Sequence, residues 1–499
     1  MTEDQYIEVC KITDEILQSK SSSSTRVALP FLHVVRGHHL FLQKYENIYE
    51  GTIIGHYKAV KLKLFNVIAL CIVLFQSMFY SQYSQWLKNF NKSSKRDILF
   101  VSHLINKSHY CQKNDFYFSD LPQKVSEAGF KSLVVMINHA KISLIENNNE
   151  KKLKKTVLPL RLGFYEELKN VSLLWAEYKT LKTEMRSEKT KIKKKLLYFA
   201  AIESLSPSAL TSLRIGTQIG GLVKILEPKT LITTYEGHAW ERKVINNAKQ
   251  VNQNINCIAY SGAPIFKNQH AIKRSLDKQF NPDIILVSGP IQRQQLENYG
   301  LLKNIEIDVL GSVRCNNGKE KEVTLNQTNK IVSKKKQFFL VAPEGVKKEI
   351  ALLFDFSLKC AKAMPECNFI WRLHPHYGFN KLKYKDLPDN ITLSDKALKY
   401  DLLNAHWVLY RASSVVIEAV IAGLKPIYLH EANEIKIDAI YGVDSWKSEV
   451  ESVKDFESTV KNKKGDFSDY HKALKYCNDL YSPLNEEVLI EAIKKNKFA

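Results

Sequence analysis

The chain lacks any C-x-x-C pair. Its eight cysteines (Cys10, Cys71, Cys111, Cys257, Cys315, Cys360, Cys367 and Cys477) are scattered and have no clustered histidine partners. Neither a disulfide framework nor a zinc site is indicated, and a reducing cytoplasm is the plain reading. The basic-then-apolar leader of an exported protein is also missing, because the amino terminus, Met1-Thr-Glu-Asp-Gln-Tyr6, is acidic and polar. Retention inside the cell is therefore expected. Acidic side chains are in deficit, 52 Asp+Glu against 73 Lys+Arg, for a net charge of +21. Such an excess suits nucleic acid, an anionic membrane surface or a phosphorylated substrate. Nucleic acid is disfavoured: there is no helix-turn-helix, zinc-finger or RNP-type signature, and the lysine-rich segments lack aromatics at base-stacking spacing. No solenoid period and no long low-complexity tract is present.

What is present is an alternation of short apolar runs with helical stretches, the pattern of parallel α/β sheets. At 499 residues the chain exceeds one ordinary core and should divide into two such lobes with additions. Residues 1–95 read as an amino-terminal helical region of unclear function, with a serine-rich break at Ser19 to Ser24. Within it, Leu64 to Leu87 carries no charge, but the strongly apolar part runs only from Val67 to Phe79. That length favours a buried or membrane-surface helix over a spanning one. Residues 96–314 form the first lobe (acceptor side), with strands expected at Asp97–His103, Ser132–Asn138, Lys229–Tyr235, Ile255–Tyr260, Asp283–Ser288 and Ile307–Leu310. The polar stretch 315–336 reads as a linker, 337–480 as the second lobe (donor side) and 481–499 as a carboxyl-terminal helix. Second-lobe strands are expected at Gln337–Ala342, Asn368–Leu373, Leu403–Tyr410 and Lys425–Leu429. The basic stretch Lys179–Lys195 is a solvated helix face or a contact for anionic lipid.

Three elements at strand-to-helix turns carry candidate chemistry. Tyr235-Glu236-Gly237-His238 ends one expected strand, His374-Pro375 ends another, and Ser413-Ser414 begins an expected helix 39 residues after His374. These are places where an α/β fold gathers a phosphate, which points to a nucleotide-sugar site. Glu236 suits a base that deprotonates an acceptor hydroxyl, with Glu241 as the reserve, and His374 suits neutralisation of a departing phosphate. Pro375, Ser413 and Ser414 would border that phosphate. Gly311, Ser312, Glu344, Gly345 and Arg372 are further donor-side candidates, and Gly237, His238 and Tyr260 fall on the acceptor side. Taken singly, Glu236 could cap a helix, His374 could satisfy buried backbone and Ser413 could be an ordinary N-cap. Lys267, His270, Lys273 and Arg274 could meet an anionic acceptor or solvent, with solvent preferred. No D-x-D triplet occurs, which favours cationic and hydrogen-bonding stabilisation over a divalent ion. No cofactor and no metal are called for.

Glu236-Gly237, His374-Pro375 and Ser413-Ser414 resemble the acidic-Gly, His-Pro and Ser-Ser/Thr motifs of bacterial sialyltransferases and related transferases using CMP-activated sugars. The wider strings Thr234-Tyr-Glu-Gly-His-Ala-Trp-Glu-Arg242, Trp371-Arg-Leu-His-Pro375 and Tyr410-Arg-Ala-Ser-Ser-Val-Val-Ile-Glu-Ala419 resemble a group of surface-carbohydrate (O-antigen) biosynthesis proteins. One departure stands out: Tyr235 occupies the place of the first of two acidic residues before glycine. The resemblance covers about residues 97–435. It implies a GT-B fold, two Rossmann-like lobes facing a central cleft, with the nucleotide held mainly by the second. It further implies a metal-independent glycosyltransferase moving a nonulosonic-acid (sialic-acid-like) or Kdo-like sugar from a CMP-activated donor to a surface polysaccharide or lipid-linked acceptor. The rival readings are a CDP-glycerol-type polyol-phosphate transferase and a non-catalytic basic binding protein. The expected location is cytoplasmic, peripheral at the inner face of the membrane.

Overall fold

The computed structural model describes residues 1–49, 53–80, 82–90, 95–142, 155–315, 336–374, 377, 384, 386–462 and 467–495. Among these, thirteen strands form two wholly parallel sheets. The first holds β1 (Ile98–Leu104), β2 (Ser132–Asn138), β3 (Lys155–Val157), β4 (Thr230–Thr234), β5 (Asn256–Ser261), β6 (Ile284–Val287) and β7 (Glu306–Val309). The second holds β8 (Phe338–Ala342), β9 (Asn368–Arg372), β10 (Ile391–Ser394), β11 (Trp407–Tyr410), β12 (Lys425–Leu429) and β13 (Ser448–Val450). Their spatial orders are β3-β2-β1-β4-β5-β6-β7 and β10-β9-β8-β11-β12-β13. The second runs 3-2-1-4-5-6 in its own count and the first the same with a seventh strand added, the doubly wound Rossmann order, with its reversal between the first and fourth strands. The two-lobed GT-B architecture expected from the resemblance is the one observed.

Residue alternation explains why each sheet is buried on both faces. In the first, Leu99, Val101, Leu133 and Val135 pack beneath the Pro207–Leu226 and Ala239–Val251 helices. Phe100, Val134 and Met136 face the other way, against Leu489, Ala492 and Ile493 of the carboxyl-terminal Glu486–Lys494 helix. In the second, Phe339, Val341, Trp371 and Leu409 line one face, and Leu340, Val408 and Tyr410 the other. The strands absent from the sequence reading are β3, β10 and β13, three or four residues each, at sheet edges. Leu403 and Asn404, expected in a strand, instead close the Leu398–Asn404 helix.

Chain crossings tie the lobes together. After the second lobe the chain returns across Ser482 and Pro483, where Ser312 donates its N–H to Ser482 (2.9 Å) and Asn485 to Leu310 (2.8 Å). Gly311, at φ +90°, accepts this crossing because a β-carbon there would sit 2.2 Å from the Pro483 carbonyl oxygen. Arg314 then reaches into the second lobe, bonding Ser414 Oγ and Glu418 at 2.7 Å each and Tyr481 Oη at 3.2 Å.

The amino-terminal helices Glu3–Leu17 and His39–Tyr49 pack onto the Phe164–Ser187 and Lys191–Ser204 helices in one shared core. The basic stretch Lys179–Lys195 is thus the corner between two helices, broken at Glu188 to Thr190. The set expected to face solvent is mostly buried: His270 and Arg274 both hold Asp14 of the first helix, and Lys273 donates to the Phe266 and Lys267 carbonyls. Lys267 alone is exposed, pairing with Glu3 (3.1 Å). The partners of Lys267, His270 and Arg274 lie more than 250 positions away, which spacing on one helix cannot reveal. Arg26 is fully buried between Glu177 and Glu184, at 2.6 Å from each. Replacing Arg26 with Met strands the buried Glu177 carboxylate, so a loss of about 3–5 kcal/mol is expected. Denaturation midpoints should fall accordingly, while an unchanged midpoint would contradict the anchoring role.

Candidate functional site

In open α/β sheets, ligands bind beyond the carboxyl ends of the strands where the strand order reverses. In the first lobe that point lies between β1 and β4. There His103 is held between His139 Nε2 and Thr234 Oγ1, both at 2.9 Å, with the Trp240 ring edge-on and Tyr117 beside it. Burial, then the neighbouring His139, pulls His103 down to about 3, so the ring is neutral. Glu236, Gly237 and His238 follow β4 directly. Gly237 lies at φ +84°, and a β-carbon there would meet the Ala271 carbonyl at 2.3 Å, so only glycine permits this turn. His238 Nε2 stands 3.8 Å from a Glu236 oxygen. Burial opposes the charge on His238, but Glu236 and Glu241 outweigh it and raise the imidazole above its ordinary 6.5.

In the second lobe the reversal lies between β8 and β11, with β9 on the other side of β8. Three turns therefore stand side by side: Pro343-Glu344-Gly345 after β8, Leu373-His374 after β9, and Arg411 to Ser414 after β11. Gly345 lies against the imidazole of His374, where a β-carbon would sit 2.9 Å from Nδ1. Ser413 is buried, and its N–H donates to the Arg411 carbonyl (2.7 Å).

One side chain from outside both sheets joins the two reversal points. Arg36, in the irregular segment before the His39–Tyr49 helix, places Nη2 3.3 Å from Glu236 and Nη1 3.8 Å from Glu344. Burial works against charge on the Glu236 carboxyl, yet Arg36, with help from His238, holds it well below the ordinary carboxylate value. Glu344 goes the other way: burial pushes it up to about 7, and nearby Glu349 and Glu236 add to that push. The next residues extend the network. His39 lies 3.1 Å from Glu434 and 3.4 Å from Glu349, and Arg411 pairs with both of those carboxylates.

His38, His39 and Glu349 could offer donor atoms within 4.8 Å of one another, the spacing of a metal site. The Leu40 N–H, however, donates to His38 Nδ1 (3.2 Å). Burial pulls His38 down to about 3, so its ring is neutral and, with Nδ1 accepting, its proton sits on Nε2, 3.4 Å from Glu344 and 3.6 Å from Glu349. A protonated ring nitrogen has no lone pair for a cation. With that nitrogen protonated and Arg411 paired with Glu349 (3.1 Å), the set fits a cluster of ion pairs better than a metal centre.

Of the residues singled out from sequence, Glu236, Gly237 and His238 assemble at the first reversal point, and Glu344, Gly345, His374, Ser413 and Ser414 at the second. Pro375 lies outside the described residues. Gly311 and Ser312 are packed under the returning chain, and Tyr260 is buried with its hydroxyl donating to the Gly311 carbonyl (3.0 Å). Arg372 donates to Asp401 and the Lys396 carbonyl, each at 2.7 Å. Glu241, read as a reserve base or salt-bridge partner, is buried and accepts backbone N–H groups from Glu236 (3.0 Å) and His238 (2.7 Å). It shapes the turn from beneath. The residues that sequence reading missed are Arg36, His38, His103 and Arg314; the one available signal was the Arg36-Gly-His-His39 string. A cavity of about 1150 Å³ opens at the amino ends of the first sheet, lined by Asp97, Thr230, Lys249 and Asp283, the edge away from all of this chemistry.

No protein-family model matches the chain, and no curated protein matches it. Among solved structures it is similar to the kitacinnamycin glycotransferase (12% identity, 81% of this chain and 99% of that one, TM-score 0.47). It is also similar to the glycosyltransferase SnogD from Streptomyces nogalater (12%, 80% and 99%, 0.45). A third such structure is the UDP-GlcNAc 2-epimerase from Neisseria meningitidis bound to UDP-GlcNAc (12%, 80% and 99%, 0.42). At such scores the likeness is one of general layout, and the fold assignment stands on the two strand orders.

The Arg36 bridge has a pH signature. A carboxylate lowered on folding contributes stability above its unfolded value, near 4.5 for Glu236, and loses it as pH falls toward the folded value. The stability gap between the wild type and Arg36→Met should be widest near neutrality and shrink below pH 4.5. Melting temperatures across pH 4 to 7 measure it, and a gap independent of pH would contradict the bridge.

Proposed function

We propose that this protein is a glycosyltransferase that binds a CMP-activated sugar on its second lobe and an acceptor hydroxyl on its first. The observation that supports this most is the alignment of two chemically distinct sets at the two facing reversal points: His374 with Ser413 and Glu344 on one, Glu236 with His238 on the other. A transferase of this kind must remove a proton from the acceptor and stabilise charge on the departing nucleotide.

The second lobe suits the nucleotide. His374, seated on Gly345, would donate to a phosphate oxygen as the glycosidic bond breaks, and Ser413 would border the same group. Ser414 already receives Arg314 Nη1, so phosphate binding there would engage that guanidinium as well. The raised carboxyl of Glu344, near 7, would be largely protonated below neutrality and able to donate a hydrogen bond to a base or ribose.

The first lobe suits the acceptor. Glu236, ionised and held by Arg36, is a weak base in its own right, because a lowered pKa lowers proton affinity. Its nearby partner His238 is raised above 6.5. In this reading His238 takes the acceptor proton while Glu236 steadies the imidazolium that forms, and Trp240, Tyr117 and neutral His103 give a sugar a flat aromatic and hydrogen-bonding wall. The motif resemblance supplies the choice of CMP and of a nonulosonic or Kdo-like sugar, and an acceptor on a surface polysaccharide or lipid carrier.

Purified protein incubated with CMP-sugars, CDP-glycerol, UDP-sugars and dTDP-sugars, with nucleotide release followed, tests the donor. Acceptor-dependent CMP release from a CMP-sugar is expected, lowered about 10²-fold or more in folded His374→Ala. CMP release from CDP-glycerol alone would favour the polyol-phosphate reading, and turnover confined to UDP- or dTDP-sugars would overturn the donor assignment. A second expectation concerns the base. A base works deprotonated, so kcat/KM should rise with pH through an acid limb above 6.5, and that limb should vanish in His238→Gln. A limb in the carboxylate range that survives in His238→Gln would return the role to Glu236.

A further inference from the structure

The Ile53–Tyr80 helix has two opposed faces. One is bound to the protein: Asn66 Nδ2 donates to the Ile202 carbonyl (3.2 Å), Leu70 enters the amino-terminal core and Ser77 is buried, while Gln76, at the edge of the other face, accepts from Arg161. On the opposite face, at helical spacing, Leu64, Phe65, Ile68, Ile72, Phe75 and Phe79 are each about half exposed or more. An apolar stripe of this size on a soluble surface calls for a partner.

The neighbouring Phe164–Ser187 helix runs antiparallel to it, since Gln76 meets Arg161 at one end and Lys63 lies 4.9 Å over the Tyr178 ring at the other. Its exposed side carries Tyr165, Leu168, Trp175 and Lys179 at i, i+3, i+10 and i+14, one helical face. Aromatics mixed with lysine are the composition of a membrane–water interface. Charge agrees: from Gly51 to Arg96 there are seven Lys and Arg and no Asp or Glu.

The geometry points to an anionic lipid bilayer as the occupant of this face, with the Ile53–Tyr80 helix lying in the plane of the membrane and its Phe65–Ile72–Phe79 face inserted among the acyl chains. The Lys58–Tyr80 part is long and apolar enough to cross a bilayer, but Asn66, Leu70 and Gln76 attach it to the folded body, and a spanning helix would have to give up all three. Phenylalanines supply the anchoring apolar area, and Lys61 and Lys179 supply attraction to anionic headgroups, weakened by salt. This inference stands apart from the choice of donor.

Flotation with phosphatidylcholine vesicles containing or lacking one quarter phosphatidylglycerol tests it. The wild-type protein should float with the anionic vesicles at low salt, and its bound fraction should drop severalfold at 0.5 M NaCl. The triple variant Phe65→Ser, Phe75→Ser, Phe79→Ser should bind at least tenfold less; these side chains are exposed, so an unchanged melting temperature checks that it folds. An environment-sensitive dye on Cys71, which is exposed near the middle of the helix, should shift to the blue with vesicles, in a Cys111→Ser background. Equal flotation of the triple variant, or no flotation of the wild type, would overturn the proposal. A vesicle-independent dimer abolished by the same three substitutions would assign the face to a second copy of the chain and overturn it as well.

Discussion

Arg36 is the constraint on which the cleft depends. Two carboxylates, Glu236 at the reversal point of one sheet and Glu344 at that of the other, face a common space, and like charges there would repel. A single guanidinium between them, 3.3 and 3.8 Å away, turns repulsion into a link between lobes. Its effect is unequal. Glu236 is pulled well down, whereas burial keeps Glu344 near 7, so one cation leaves a fixed anion on one wall and a titratable group on the other. Environments that drive two carboxyls apart are what divide acid, base and anchoring roles within a site.

Arg36 belongs to neither lobe. It comes from the amino-terminal region, threaded past the 268 loop, where the Gly37 N–H donates to the Asn268 carbonyl and a β-carbon at Gly37 would lie 2.7 Å from Asn268 Cβ. The same region carries the apolar helical face. One stretch of chain thus couples the interior of the cleft to an outer surface of the molecule, through the core it shares with the Phe164–Ser187 helix.

Much of the lobes was legible because buried parallel strands are short apolar runs bounded by turns, and ten such runs coincide with strands β1, β2, β4 to β9, β11 and β12. The edge strands were not, because three or four residues with one pairing partner need no distinctive composition. Within the site, residues that follow a strand directly, such as Glu236 and His374, could be placed from their flanks. Arg36 and His103 could not. Arg36 reaches Glu236 across 200 positions, and His103 becomes notable only once β1 and β4 are neighbours. Arg274 shows the same limit in reverse: its charge implied solvent, and its partner Asp14 lies 260 positions away.

Placement of the nucleotide on the second lobe, at the reversal point between β8 and β11, is the core of the proposed function. Amide hydrogen exchange with and without CMP tests it most directly. Added CMP should slow exchange at residues 344–346, 372–374 and 411–415, the three turns around His374 and Ser413, and leave the β1–β4 edge of the first lobe little changed. Protection confined to the amino-edge cavity around Asp97, Thr230 and Asp283, or no protection anywhere at saturating CMP, would contradict it.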